Sequence, residues 1–223
     1  MSIISKRLSL GFVATSMLAL ATIVPVQAGI EGNVGLTSNY FWRGMSQTAD
    51  EASVSGGLDY SADSGFYLGT WVANVDFGET DATSYELDLY GGYSGEISGI
   101  SYDVGYISYL YPDGDDLDFA ELYLSVGFGP ASITYYDQIE DSDASYDKET
   151  SYVSLDIEFP VDDEISIGLH YGMNDITNAD QTTAEQDDFS VTVSKGDFSL
   201  GLMGSNDIGD DDTKAVISYG ISF

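Results

Sequence analysis

The sequence predicts an all-β protein: a transmembrane antiparallel up-and-down β-barrel of about 12 strands that follows a cleaved signal peptide. Three observations lead to this prediction. Segments of about ten residues alternate polar and apolar side chains with a period of two, and residues typical of turns separate them. The connections between segments are alternately short and long, as in barrels with tight turns at one end and surface loops at the other. The last segment ends in an aromatic residue, Phe223.

The N-terminus has the features of a secretory signal peptide. Lys6 and Arg7 form a short basic region, and residues 8–24 are apolar and uncharged. Small residues precede a cleavage site after Ala28, so we predict export and cleavage there; an uncleaved membrane anchor is the alternative. The predicted organisation is a signal peptide at 1–28 and a single outer-membrane barrel domain at 29–223.

Composition excludes several classes of function. The chain carries 38 acidic and 6 basic residues, and its formal net charge of −32 repels the phosphates of nucleic acids. It has no cysteine and a single histidine, His170, which excludes disulfides, cysteine nucleophiles and zinc sites with several Cys or His ligands. Because 43% of the residues are hydrophobic and 13% aromatic, the chain is nevertheless expected to fold.

Twelve strands follow from the alternation. The first places Ile30, Tyr40 and Trp42 on one apolar face, which we expect to contact lipid. The third has large apolar groups on both faces, with Leu68 opposed to Trp71, so its register stays open. The first two strands cover Ile30 to Trp42 and Glu51 to Tyr60, and the others are predicted at 66–76, 85–94, 99–110, 118–127, 131–138, 150–159, 164–174, 188–195, 198–205 and 213–223.

The connections favour a membrane barrel over a soluble sandwich, because short and long ones alternate along the whole chain. The final alternation, which includes Tyr219, Ile221 and Phe223, resembles the C-terminal signal read by the outer-membrane assembly machinery. The alternative is a periplasmic β-domain with a buried last strand. We predict the outer membrane of a Gram-negative bacterium as the location, with lipid and lipopolysaccharide as neighbours. Long loops are predicted at 43–51, 77–84, 111–117, 139–149, 175–187 and 206–212.

Acidic residues are distributed unevenly over the predicted barrel. More than half of them fall in long loops, and those within strands fall on the polar face, so we expect no carboxylate on the lipid-facing side. By position along the strands, the lumen carboxylates form two layers. The outer layer comprises Glu86, Asp88, Glu121, Asp137 and Asp188, with Arg43 at the same rim; the inner layer comprises Glu31, Asp59, Asp103, Asp156 and Glu158.

Two segments resemble a known family. Residues 32–48, GNVGLTSNYFWRGMSQT, are followed by Gly-rich alternation and by GFYLGTWVANVDF at residues 65–77. This pattern resembles the TorF family of proteobacterial outer-membrane porins, a group also classified as a family of unknown function. The resemblance runs the length of the mature chain and is strongest over residues 30–78. It implies a β-barrel of monomeric scale with a channel role; a solute preference does not transfer, because the loops here are more acidic.

A passive, cation-preferring diffusion channel for small solutes or ions is the predicted function, because rings of carboxylates concentrate cations. The alternative is a non-conducting structural or adhesive surface barrel whose acidic loops bind divalent cations. Twelve strands lie between side-chain-filled eight-strand barrels and open 16-strand porins, so an open lumen and a plugged one both remain possible. Four inward tyrosines are expected to narrow the lumen: Tyr90, Tyr123, Tyr136 and Tyr152.

Neither an enzyme nor a dedicated metal site is predicted. No G-x-S-x-G nucleophile motif occurs, and His170 lies on the polar face of its strand, so we interpret it as a polar lumen group. The acidic segment at residues 113–118 lacks the glycine and the glutamate of a helical calcium loop. The sequence therefore predicts no catalytic residue, no metal ligand and no cofactor.

Overall fold

A closed β-barrel of twelve antiparallel strands forms the described part of the computed structural model, which covers residues 28–78, 83–114, 116–142, 149–177, 183–206 and 213–223. The predicted fold class is confirmed. The predicted signal peptide lies outside the described residues except for Ala28. Within those residues, no helix is long and apolar enough to span a bilayer.

Fourteen strands are present in these ranges, of which twelve build the barrel and two form a small separate sheet. Consecutive barrel strands pair with each other, and the first barrel strand closes the ring by pairing with the last. The strands are β1 (Gly29–Thr37), β2 (Phe41–Trp42), β3 (Met45–Ser46), β4 (Ser53–Ser61), β5 (Phe66–Asn74), β6 (Tyr85–Ile97), β7 (Ile100–Leu110), β8 (Phe119–Phe128), β9 (Ala131–Asp141), β10 (Glu149–Pro160), β11 (Ile165–Thr177), β12 (Thr183–Lys195), β13 (Phe198–Ser205) and β14 (Lys214–Ser222).

Short and long connections alternate in the structure as they do in the sequence. One end of the barrel, which we name the turn end, carries the tight turns; Ser98 and Gly99, for example, join β6 to β7 with φ angles of 55° and 82°, the two positive values that a type I′ hairpin requires. The opposite end, which we name the loop end, carries the longer connections. These span residues 38–52, 75–84, 111–118, 142–148, 178–182 and 206–213.

The outward face of the barrel is apolar and exposed, as a lipid-facing surface must be. On β5, whose register the sequence left open, Leu68 faces outward and Trp71 inward. Aromatic side chains concentrate near both ends of this face; Tyr85 and Tyr93 of β6 lie about 26 Å apart along the strand, comparable with the apolar band of about 25 Å in membrane barrels. The exposed aromatic residues are Tyr60, Phe66, Tyr93, Phe128, Phe159, Phe198 and Phe223 toward the turn end, Tyr85, Tyr135, Tyr171 and Phe189 toward the loop end, and Tyr106 between the two groups.

The seam between β1 and β14 is closed by the end of the chain. Phe223 and Gly32 exchange two backbone hydrogen bonds, each 2.9 Å long. The Phe223 ring lies against Gly32, where an added Cβ would meet a ring atom at 2.8 Å. Tyr219, which belongs to the same predicted assembly signal, packs against Phe198 with ring centroids 4.8 Å apart, and Ile221 lies exposed on the outward face. The last strand thus joins the barrel wall instead of being buried in a soluble core.

The first strand is shorter than predicted. β1 ends at Thr37, and the chain then turns into the barrel, so that Tyr40 and Trp42 lie inside the lumen and not on the lipid-facing surface. The Thr37 hydroxyl donates to the Asn39 carbonyl at 2.8 Å, which takes that carbonyl out of strand pairing. The prediction that these two aromatic residues contact lipid was therefore wrong. They keep the period-two spacing of β1, but the strand has already ended before them.

Candidate functional site: the barrel lumen

A small hairpin formed by residues 40–48, which we name the lumen hairpin, lies inside the loop end of the barrel. Its strands β2 and β3 are joined by Arg43 and Gly44, whose φ angles of 47° and 79° are those of a type I′ turn. The Gln47 backbone N–H closes the hairpin by donating to the Tyr40 backbone carbonyl at 2.7 Å. Its tip packs tightly on the barrel wall, since a Cβ on Gly44 would lie 2.6 Å from the Asp188 Cβ. The hairpin therefore occupies the lumen.

Arg43, at the tip of the lumen hairpin, forms a buried ion pair with Glu121. The Arg43 Nη2 atom donates to Glu121 Oε2 at 2.8 Å, and the two side chains are only 4% and 1% exposed. The guanidinium also lies over the rings of Trp42, Tyr136 and Tyr152, with centroid distances of 4.4, 5.0 and 4.2 Å. Burial alone would lower the pKa of Arg43, but the Glu121 carboxylate, together with Tyr109 and Tyr136, more than offsets this and the pKa ends above its usual value. Arg43 therefore stays charged.

Glu86 accepts one hydrogen bond on each carboxylate oxygen. The Tyr40 hydroxyl donates to Oε1 at 2.8 Å and the Tyr111 hydroxyl to Oε2 at 2.7 Å. Burial, together with the nearby Glu86 charge, raises the pKa of Tyr40 and of Tyr111 well above the usual value. Both tyrosines therefore remain neutral donors, and they connect the lumen hairpin to β6 and to the residue that follows β7.

Asp88 is the most deeply buried carboxylate of the outer layer, with no exposed surface. Neither of its oxygens accepts a hydrogen bond within the described part of the chain. It lies two residues from Glu86 on the same face of β6, and its direct cross-strand neighbours are Trp71 on β5 and Tyr109 on β7. The Trp71 indole N–H is likewise buried without an acceptor in those residues.

His170 connects the two predicted layers. Its Nε2 atom lies 2.9 Å from Asp188 of the outer layer, and its Nδ1 atom lies 2.6 Å from Asp156 of the inner layer. The Tyr152 hydroxyl also donates to Asp188, at 3.0 Å. A histidine fixed between two carboxylates has no free nitrogen to act as a base, so this arrangement positions charge across the lumen.

The inner layer lies at the turn end and is partly open to solvent. Asp59 accepts a 3.2 Å hydrogen bond from the Asn33 amide and another from the Tyr90 hydroxyl. Asp103 accepts from the Tyr67 hydroxyl at 2.6 Å. The remaining members Asp156 and Glu158 are half-buried on β10, and Glu31 is exposed at the rim opposite Asp59.

One member of the predicted outer layer does not face the lumen. Asp137 is exposed on the outward face of β9, the same face as Ile133 and Tyr135. Its direct partner on β8 is the outward-facing Leu122. The alternation along β9 is strict at this point, so an aspartate two residues beyond Tyr135 must point outward. It lies beyond the aromatic residues, where a carboxylate is hydrated. The expectation that no carboxylate occupies the outward face was also wrong for Asp175, Glu185 and Asp187.

Sequence reasoning missed most of the residues that fill the loop end. They form an aromatic cluster inside the barrel rather than a lining of an open tube. The available signal was Arg43–Gly44 between two pairs of residues, a two-residue turn at the start of the segment predicted as a loop, residues 43–51. The buried cluster comprises Tyr40, Trp71, Ala73, Val75, Ile107, Tyr109, Tyr111, Tyr123, Tyr136 and Tyr152.

One protein family model matches most of the chain. The model of a family described as "Bacterial protein of unknown function (Gcw_chp)" matches residues 25–220. This description does not carry the TorF name, so that resemblance stays a prediction. No curated protein sequence matches the chain.

Solved structures similar to this chain include outer-membrane porins and channels. The KdgM porin aligns with a TM-score of 0.54 at 10% identity, covering 87% of this chain and 97% of that one. The NanC porin aligns with a TM-score of 0.50 at 10% identity, covering 87% and 99%. An outer membrane channel from Pseudomonas putida F1 aligns with a TM-score of 0.50 at 13% identity, covering 89% and 96%. At such identities the likeness concerns the fold.

Proposed function

The chain belongs to the Gcw_chp family of bacterial proteins of unknown function, and we propose that it is an outer-membrane channel that passes small cations. One observation carries this proposal: an acidic lumen, open to solvent at the turn end, leads to a constriction made by the lumen hairpin. The alignment with porin folds over 87% of this chain supports a barrel that crosses a membrane.

The net negative charge of the lumen favours the passage of cations over that of anions. Among the described residues, nine carboxylates of the two predicted layers face the lumen, against the cationic Arg43 and Lys214 and the single histidine, His170. In a low-dielectric tube such an excess raises the local concentration of cations and repels anions. The KdgM porin has also been solved in complex with disordered oligogalacturonate; a carboxylated sugar chain would be repelled by this lumen. The nine residues are Glu31, Asp59, Glu86, Asp88, Asp103, Glu121, Asp156, Glu158 and Asp188.

Conduction requires a change at the loop end, because the lumen hairpin covers the outer layer. Glu86, Asp88 and Glu121 are at most 1% exposed. We propose that ions pass when the hairpin moves away from the β12 wall, and that its contacts with Glu86 and Glu121 set how often this happens.

A structural or adhesive barrel without conductance is the second candidate. The observation in its favour is the same burial: an Arg43 that is 4% exposed and ion-paired resembles a core residue more than a mobile gate. In this case the hairpin would be a permanent plug, and the acidic loops would supply the functional surface.

Bilayer recording with a matched variant separates the two candidates. We compare refolded wild-type protein with a variant whose lumen hairpin, residues 40–48, is replaced by a Gly-Ser linker of equal length. The channel proposal expects cation-selective steps from the wild type in a KCl gradient and larger steps from the variant. A silent wild type beside a conducting variant would favour the plug, and silence from both, with intact β-sheet spectra, would end the channel proposal.

Assembly and location belong to the same proposal. We propose that Tyr219, Ile221 and Phe223 are recognised by the outer-membrane assembly machinery, since Tyr219 and Ile221 lie on the outward face of β14 and Phe223 follows this strand directly. Deleting Phe223 also removes the contact with Gly32, so Phe223→Leu is the better variant. We expect less folded barrel in the outer membrane from this variant in cells but unchanged refolding in detergent micelles. Equal yields in cells would contradict the assembly role.

A further inference from the structure

We propose that Asp88, together with Glu86, holds one dehydrated monovalent cation, K⁺ or Na⁺, in the buried part of the lumen. The proposal goes beyond conduction, because a barrel that never opens could hold the same ion. It concerns a site inside the aromatic cluster, between β5, β6 and β7 and beneath the lumen hairpin.

The first observation is that Asp88 lacks a partner. Both carboxylate oxygens are buried, and within the residues that the structure describes neither accepts a hydrogen bond nor joins an ion pair. Other buried carboxylates at this end are matched: Glu121 by Arg43, and Asp188 by His170. A buried, unpaired carboxylate is strongly unfavourable, so Asp88 requires either a proton or a counter-charge.

The second observation is the position of Glu86. It lies on the same face two residues away, and its two hydrogen-bond donors, Tyr40 and Tyr111, are neutral. Two carboxylates therefore share this part of the lumen, and the described residues provide no cationic side chain paired with either. Repulsion between neighbouring carboxylates adds to the need for a bound positive charge.

A proton alone does not satisfy this site. Protonation would remove one charge, but the neutral acid gains an O–H donor that also needs a partner. Trp71, directly opposite Asp88, already has an indole N–H without an acceptor in the described residues, so a further unmatched donor would add to the cost.

The size and charge of the ion follow from the surroundings. A divalent ion such as calcium is usually bound by several carboxylates, and the described residues contain no group of three or more acidic or His side chains at this site. The unpaired Asp88 carboxylate, beside the hydrogen-bonded Glu86 carboxylate, can be neutralised by a single positive charge. The buried aromatic neighbours Trp71 and Tyr109 can add cation–π attraction for a dehydrated alkali ion.

The test uses thermal unfolding of the refolded full barrel in detergent micelles, read from the electrophoretic shift between folded and unfolded chains. We compare KCl, NaCl and N-methyl-D-glucamine chloride at equal ionic strength and pH, since the last cation is too large for the site. A ligand bound only by the folded state raises the midpoint, so we expect a midpoint about 4 °C or more higher in KCl or NaCl. Equal midpoints in all three salts would overturn the proposal.

Variants locate the effect. Asp88→Asn should remove the dependence on the type of cation, whereas Asp59→Asn, the same change in the solvated inner layer, should keep it. Dependence that survives in Asp88→Asn would overturn the proposal, as would a wild-type midpoint that responds to pH alone.

Wild-type crystals soaked in thallium(I), a substitute for K⁺, provide a second measurement that needs no variant. An anomalous peak at Asp88 supports the site, and peaks confined to the inner layer contradict it. Bilayer recording is independent of both results: a conducting protein without the cation dependence would leave the channel proposal standing and remove this site.

Discussion

The two ends of the lumen differ in hydration although the same strands line both. At the loop end, Glu86, Asp88 and Glu121 are almost completely buried among aromatic rings. At the turn end, Asp59 and Asp103 are half-buried and reach solvent. The difference arises from the lumen hairpin, which covers one end and not the other. A carboxylate on the inner face of a barrel can therefore be either a pore-lining group or part of a polar core.

This contrast determines how much each carboxylate contributes to stability. At the loop end, a charge that loses its partner stays buried and uncompensated, which costs several kcal/mol of folding stability. At the turn end, water replaces a lost partner at little cost in stability. The following predictions test this difference between the two ends, from the largest effect to the smallest.

Breaking the buried ion pair should produce the largest loss of stability. Arg43→Leu leaves Glu121 buried with the Tyr109 hydroxyl, 3.2 Å away, as its remaining partner among the described residues, so we expect a loss of about 3–5 kcal/mol in the free energy of unfolding. The measurement is urea unfolding of the refolded barrel, followed by tryptophan fluorescence.

The control for this prediction is the ion pair between Lys195 and Glu164, which is 66% and 75% exposed. Lys195→Leu should change stability by at most about 1 kcal/mol. The double variant Arg43→Leu, Glu121→Leu should lose less than the sum of the single variants, because it leaves no unpaired charge. Additive losses would show that the buried pair is not coupled.

Displacing the tip of the lumen hairpin should have the next largest effect. Gly44→Ala places a Cβ 2.6 Å from the Asp188 Cβ and 2.7 Å from the Ser205 Cβ, so the tip must leave the wall. Gly78→Ala is a matched control, because Gly78 has a similar φ of 88° with open space around it. We expect higher conductance, or more frequent opening, from Gly44→Ala alone. Equal behaviour of the two variants would mean that backbone strain, not contact with the wall, positions the hairpin.

The sequence predicted the wall of the barrel better than its contents. Alternation with period two is a local property, and it correctly placed Glu86, Glu121 and His170 on the inner face. Whether an inward-facing residue reaches solvent depends on what covers it. At the loop end it is covered by the lumen hairpin, which follows β1 and folds back into the barrel. Tyr40 and Trp42 kept the same alternation as β1, so a strand and a hairpin could not be distinguished there without the turn formed by Arg43 and Gly44.

The inner layer should control selectivity more than stability. Replacing Asp59, Asp103 and Asp156 with Asn should preserve folding, because these positions reach solvent. The reversal potential in a KCl gradient should move toward zero, most strongly at low salt, since the Debye length is about 30 Å at 0.01 M and about 10 Å at 0.1 M. An unchanged reversal potential at both salt concentrations would place the filter at the loop end.

Asp137 provides the smallest expected effect and the sharpest contrast with its sequence neighbours. It lies at the same height as the outer layer but on the outward face, where Tyr135 and Ile133 precede it on β9. The barrel wall separates it from the ion path, and it is hydrated, so Asp137→Asn should change the free energy of unfolding by no more than about 0.5 kcal/mol. The reversal potential should also stay within error of the wild type. A shift comparable with that of the inner-layer variant would mean that Asp137 faces the lumen, and the register of β9 against β8 would have to move by one residue.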